Sequence, residues 1–309
     1  SLHTDIGYVR APDMVGVGGC HIPQQVWIYL VLGVWVGRGN KDEYNAYDVT
    51  SISSYCNNSE LAEFGYNRDG ENLAQVNLGV FFGEKSGLPK YYNCYSGSIT
   101  DKTYLPYIIQ GTQELGIKIS RFVLDKGFIR KHNIDYMIEN ELEFVICTNE
   151  TTKVKDSVTR NIDDVKNPAN YILGHSIYGK PDRYDENVNI HIFHDSEKAA
   201  SSEKDFYARI AMYENELQQL KSLDGKTARK YKAYFDIIIK KDKSFTYEKN
   251  YGKIKEAHKL MGYFAYLSNV LELCSEEVIE ILSALTSFDG RGAGNLSQYI
   301  AENFTTIDG

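Results

Sequence analysis

With 309 residues, of which 42% are hydrophobic and 25% charged, the chain has an ordinary globular composition and can bury a main core plus a second unit. Its net charge of −8 argues against a uniformly basic nucleic-acid coat, and five scattered cysteines (Cys20, Cys56, Cys94, Cys147, Cys274), with no CxxC pair, argue against a disulfide framework or zinc knuckle. The longest apolar run, 26–36, is too short for a membrane span of about 20 residues, and no cleavable signal pattern opens the chain. A cytoplasmic protein without membrane contact is the expectation.

Residues 1–44 form an atypical N-terminal segment, rich in Gly and Val, with few charges and little periodicity. From Asn45 the pattern sharpens. Residues 46–53 alternate as a strand, 75–82 form a second, and 88–95 a third, the last two joined as a hairpin through Lys85-Ser86-Gly87. Asp101 caps a helix over 102–115, with Leu105, Ile108, Ile109 and Leu115 on one stripe. A short buried strand at 121–125, a helix near 130–140 and a strand at 143–147 complete a core over 45–149. The order β-β-β-α-β-α-β predicts an α/β, RNase H-like fold.

Residues 150–269 read as an insertion, with strands at 189–193, 234–239 and 263–267 and a polar amphipathic helix at 198–220. Residues 270–309 are a C-terminal helical region returning to the core, where Ser275 caps a helix carrying Val278, Ile279 and Leu282 on its apolar side.

Two acids stand out. Asp48 lies within an apolar strand, on the face of Ala46 and Thr50, where a buried carboxylate needs a partner or a metal. Asp125 closes a short buried strand ahead of Lys126-Gly127-Phe128, a common place for an active-site acid and equally for a turn residue. In the predicted fold the first and fourth strands are neighbours, so the two can converge. Paired hard oxygens suit Mg²⁺ or Mn²⁺, and two such ions about 4 Å apart promote phosphoryl transfer. His175, His191 and His194 are read as structural or surface residues: His191 and His194 are three apart on a strand and face opposite sides, which disfavours a shared zinc.

Charge is unevenly spread. Residues 226–259 hold eleven Lys/Arg against four acids, interleaved with Tyr231, Tyr234, Phe235, Phe245, Tyr247 and Tyr251. Cations mixed with aromatics suit DNA backbone and unstacked bases; a solvated surface is the plainer reading.

The strings AYDVTSISSYC (46–56), GYNRDGENLAQVNLGVFF (65–82), GLPKYYNCYSGSITDKTYLP (87–106), FVLDKGF (122–128), KIKEAHKLMGYFAYLSN (253–269) and SEEVIEI (275–281) closely resemble DDE transposases of the insertion-sequence-four group, over roughly residues 45–282. The resemblance implies an RNase H-like core with a largely β insertion before the third acid. It further implies DNA transposition in the prokaryotic, nucleoid-associated cytoplasm, with Asp48 and Asp125 as the first two members of a triad binding Mg²⁺ or Mn²⁺. Water activated at the metals cuts the phosphodiester at the element's terminal repeat, and the freed 3′-hydroxyl attacks target DNA; a homodimer is compatible with this scheme. Lys126 and Arg130 are assigned to phosphate near the cut, and Lys230, Lys232, Lys240 and Lys241 to the DNA backbone.

For the third acid, ungapped extension points to Asp289, where the family has Glu, but the flanking Tyr, Arg and Lys are missing and Asp289-Gly290 also reads as a turn. Glu280 and Glu277 are the alternatives. Because the resemblance fades at both ends, a truncated or frameshifted copy is expected. The competing functions are a non-catalytic DNA-binding remnant and an RNase H-like nuclease without transposition.

Overall fold

A computed structural model describes residues 43–54, 61–65, 73–86, 89–148 and 151–288. Nearly all of the N-terminal segment, and everything after Phe288, lies outside the described residues. The core elements are β1 (Asn45–Ser54), β2 (Ala74–Gly83), β3 (Pro89–Ser96), α1 (Asp101–Glu114), β4 (Arg121–Leu124), α2 (Lys131–Glu139) and β5 (Glu143–Cys147). This is the predicted succession. Strands β1, β2 and β3 are antiparallel neighbours, whereas β1–β4 and β4–β5 are parallel.

Downstream follow α3 (Thr152–Val165), β6 (Tyr171–Ile172), β7 (Ile177–Arg183), β8 (Asn189–His194), α4 (Ser196–Gln219), β9 (Phe235–Ile239), β10 (Phe245–Lys249), α5 (Tyr251–Lys259), β11 (Tyr263–Ser268) and α6 (Ser275–Phe288). Three of these downstream strands, with the short β6, widen the core into a nine-stranded sheet of order β3-β2-β1-β4-β5-β11-β8-β7-β6. The five-strand order β3-β2-β1-β4-β5 is that of an RNase H-like sheet. The insertion is more helical than a largely β segment, since α3, α4 and α5 run through it.

Alternation along the strands sorts side chains onto two faces. On the first, Tyr47, Val49, Phe81, Phe122, Leu124, Phe144 and Ile146 are buried against Leu105, Ile108 and Ile109 of α1, Met137 of α2 and Val154 and Val158 of α3. On the second, Val123, Val145 and Phe193 meet Val278, Ile279 and Ile281 of α6. The protein is therefore layered helices, sheet, helix. No helix among the described residues is long and apolar enough to cross a membrane.

Local chemistry fixes the joints. Pro106 inside α1 has no N–H for the carbonyl of Lys102, one turn earlier. The buried Asn133 of α2 donates from Nδ2 to that carbonyl (3.0 Å) and to the carbonyl of Phe128 (3.0 Å), so one amide satisfies the gap and ties α1 to the turn after β4. Asn269 acts similarly beside β5: it accepts from the Phe144 N–H (2.8 Å) and donates to the Leu142 carbonyl (2.9 Å).

Residues 195–262 leave the sheet after β8 and return as its neighbour β11. They build a small unit of α4, the β9–β10 hairpin and α5 around Phe206, Ile210, Leu217, Tyr231, Phe235 and Ile254. Its neck is one backbone bond from Asp195 N–H to the Gly262 carbonyl (2.9 Å). Gly262 has φ +77°, and a Cβ there would lie 2.5 Å from the Asp195 carbonyl oxygen, so only glycine fits.

Glu43 precedes β1 and is fully buried. Its carboxylate accepts from the N–H groups of Lys85 (2.8 Å) and Ser86 (2.7 Å), from Ser86 Oγ (2.8 Å) and from Lys90 Nζ (2.8 Å). Burial by itself would raise this carboxyl, but the bonds from Lys90 and Ser86 outweigh it and hold it below its ordinary value. Glu43→Gln strands the buried Lys90 charge and should cost about 3–5 kcal/mol in urea unfolding. Because the native pKa is depressed, the wild-type advantage is complete above an ordinary carboxylate pKa of about 4.3 and disappears as pH falls through the lower native value. An E43Q stability curve parallel to that of the wild type across this window would contradict the assignment.

Candidate active site

The site is set by strand register. In the parallel pairing of β1 with β4, Asn45 faces Phe122, Ala46 faces Val123 and Tyr47 faces Leu124. The next positions on each chain are Asp48 and Asp125. Asp125 keeps an extended backbone (φ −70°, ψ 160°), so the register carries one step further. Both acids fall on the second face, with Ala46 and Val123, on strands about 4.8 Å apart.

Asp48 is exposed, whereas its place in an apolar strand suggested burial. Its Oδ1 accepts from the Val49 N–H (2.9 Å). Asp125 is also exposed and opens a single 3₁₀ turn, Lys126–Phe128, closed by the Phe128 N–H on the Asp125 carbonyl (3.0 Å). Phe128 is buried against Tyr47, with ring centroids 5.1 Å apart, which pins the far end of the turn to the core. Thus two neighbouring strands with buried flanking residues present two carboxylates to solvent.

The same row continues across the sheet. Leu124 pairs with Ile146, which sets Asp125 beside Cys147; Cys147 pairs with Tyr266, and Tyr266 with His191. Cys147 and Tyr266 lie close enough to Asp125 for its charge to help raise both their pKa values, after the larger effect of burial, with Tyr266 pushed up to about 12. His191 is fully buried, its Nδ1 lies 3.2 Å from Ser275 Oγ at the start of α6, and desolvation lowers its pKa to about 4. His194 points to the first face, between Tyr178 and Tyr263. The two histidines therefore face opposite sides, as their spacing predicts. His175 lies 3.3 Å from Ser283 Oγ on α6.

Among the described residues, no group of three or more His, Cys, Asp or Glu is gathered as a metal cluster. Asp289 lies outside the described residues. Glu277 accepts the Cys274 N–H (2.8 Å) at the start of α6, and Glu280 is exposed on that helix. Of the basic residues, Lys126 adjoins Asp125 and is exposed; Arg130 is exposed before α2, its Nη1 3.4 Å from Thr103 Oγ1. Lys232, Lys240 and Lys241 are exposed, the last two at the β9–β10 turn. Lys230 is held by Glu216 (2.7 Å) and lies over the Tyr231 ring. Lys249, Lys253 and Lys259 are likewise paired, with Glu214, Asp236 and Glu256, so part of the basic stretch is neutralised within its own unit.

The model of the family described as "Transposase DDE domain" matches residues 42–281. Among solved structures, a piggyBac transposase synaptic complex with hairpin DNA matches at 8% identity and TM-score 0.34, over 54% of this chain and 34% of that one. A Mos1 transposase paired-end complex with left transposon end matches at 11% identity and TM-score 0.24, over 48% and 49%. A Mos1 mariner paired-end complex with Mn matches at 11% identity and TM-score 0.22, over 43% and 47%. The match spans a third to a half of the length of those chains. No curated protein matches the chain.

Exposed carboxylates on a fixed scaffold carry little of the folding energy. Asp48→Asn and Asp125→Asn should each shift the unfolding free energy by no more than about 0.5 kcal/mol in urea titrations. A loss of several kcal/mol would instead identify a structural aspartate.

Proposed function

The chain belongs to the transposase DDE domain family, and from that membership we propose that it carries out DNA transposition of the insertion-sequence-four type: hydrolysis of the phosphodiester at an element's end, then attack of the freed 3′-hydroxyl on target DNA. The observation that carries this reading is the parallel register of β1 and β4, whose last pair, Tyr47 with Leu124, is followed on each strand by an exposed aspartate, Asp48 and Asp125. Their hard, exposed oxygens fit Mg²⁺ or Mn²⁺, ions that retain water positions which a phosphate can take. Cations bound there supply charge neutralisation at the phosphate and ease deprotonation of the attacking oxygen.

Asp48 and Asp125 are the residues that would hold such cations. Asp289 is the third acid of this proposal. Lys126 and Arg130 flank the turn that bears Asp125 and contact phosphate beside the cut. Lys232, Lys240 and Lys241 engage the backbone of element-end or target DNA; Lys230 contributes less, being tied to Glu216.

That no group of three such ligands is gathered among the described residues also supports a second reading, a DNA-binding remnant without cleavage. One experiment separates them. With Mn²⁺ and terminal-repeat DNA, the wild-type chain should nick the element end, and Asp48→Asn should lower the rate more than about a hundredfold, leaving DNA affinity within about twofold. Binding without nicking by the wild type would favour the remnant; nicking retained in D48N would remove Asp48 from the site. Nicking of generic duplex DNA, with no preference for terminal repeats, would indicate a nuclease. For the basic hairpin, the double variant Lys240→Ala, Lys241→Ala should reduce the slope of log K against log salt by about 2. An unchanged slope would remove the β9–β10 turn from the DNA interface.

A further inference from the structure

Asp48 heads a row of side chains that runs outward across the sheet, away from β4. In the antiparallel pairings it faces Val80 of β2, and Val80 faces Tyr92 of β3. Directly paired residues share a face, so Asp48, Val80 and Tyr92 stand in one line on the second face. Strand β3 ends the sheet, and among the described residues no further strand pairs beyond Tyr92.

Val80 is buried, whereas Tyr92 is 56% exposed. The other tyrosines of β3 are used in packing on the first face. Tyr91 meets Phe81, with ring centroids 6.5 Å apart, and Tyr95 stacks on Tyr104 at 3.9 Å. Tyr92 stacks on no other ring among the described residues. The next row of its own face is Thr50, Leu78 and Cys94, all half-buried and uncharged. The floor between carboxylate and ring is therefore shallow and neutral.

A single exposed tyrosine is ordinary on a protein surface. Tyr92 differs by its position, two strand spacings or about 10 Å from Asp48 at the main chain, on the same face. The helix of that face, α6, packs mainly towards β7 and β8 on the other side of the sheet. A DNA strand with its phosphate at Asp48 can run along the row towards the sheet edge, which brings the neighbouring nucleotide over the ring. An aromatic face gives a base stacking area without a charge, and does so for any base.

We propose that Tyr92 is a DNA-contacting residue of the acid site, its ring stacking on the base next to the phosphate held at Asp48. This inference rests on the proposed acid site. It gives Tyr92 no part in holding cations or moving protons.

The test is a binding cycle with the full chain, free of divalent metal, and fluorescent terminal-repeat DNA in which single nucleotides at the element end are made abasic. Tyr92→Ala should weaken binding of the intact repeat about tenfold, and Tyr92→Phe, which keeps the ring, by less than about twofold. Removing the base next to the cut phosphate should weaken the wild type about as much as Y92A does. The same abasic repeat should bind Y92A no more weakly than the intact one, because ring and base form one contact. The slope of log K against log salt should be unchanged in Y92A, since no cation is lost.

Multiplying losses from Y92A and the abasic site, coupling confined to bases far from the cut, or equal losses in Y92F and Y92A would each overturn the stacking role. So would weaker binding that tracks a lower urea midpoint of Y92A. No coupling, in a chain that nicks and whose D48N variant does not, would overturn the role of Tyr92 and leave the acid site standing. Coupling at the element end in a chain that binds without nicking would keep the contact and sink the cleavage reading alone. Nicking retained in D48N would remove the acid site, and the placement of Tyr92 beside it would fall with it.

Discussion

The register of β1 is the constraint on which the rest of this molecule depends. Side chains alternate along a strand, so a slip of one residue would bury Asp48 and turn Tyr47 and Val49 out to solvent. Several bonds prevent it. Glu43 clamps the β2–β3 turn through Ser86 and Lys85 and takes the buried charge of Lys90 from β3. Two residues on, Asn45 donates from Nδ2 to the Arg121 carbonyl (3.1 Å), which sets β1 against β4. Both devices act at the start of the strand, so Asp48 arrives on its face by counting outward from a fixed origin.

The placement of the acids separates stability from chemistry. The strands that lead to them run through the most buried part of the sheet, where Phe122, Phe144 and Phe81 are inaccessible, while the two aspartates are exposed. The burial that stabilises this part of the sheet is supplied by their neighbours, and the two carboxylates stay at the surface.

Much of this was legible in the sequence because local signals agreed. The strands β1, β2, β4 and β5 were bounded to within one residue or so, and the adjacency of the first and fourth followed from their order. What was missed depended on distant partners. That β11, more than a hundred residues beyond β5, inserts next to it could not be read from either string, so Tyr266 and Cys147 showed no connection. Strand β7 was hidden by Pro181, which argues against a strand interior; the structure accepts it because the outer neighbour β6 covers only Ile177 and Tyr178. Helix α3 was overlooked although Thr151 caps it and Val154, Val158 and Val165 face the core, because charged residues between them mask the stripe. Asp48 was expected to be buried because its strand is apolar, but α6 packs mainly towards β7 and β8, and the carboxylate remains exposed.

The inserted unit shows how a chain of net charge −8 can present a cationic surface. It departs after β8 and returns as the adjacent β11, so its two ends are held together by the Asp195–Gly262 bond and the sheet closes beneath it. A unit joined at one neck is free to hold a composition unlike that of the core. Within it, Lys230, Lys249 and Lys253 are spent on Glu216, Glu214 and Asp236, which knit α4, the hairpin and α5 together. The exposed lysines at the β9–β10 turn are the ones whose field extends outward. Over a Debye length of about 8 Å at physiological salt, the field near that turn is set by this local balance rather than by the sum over the chain.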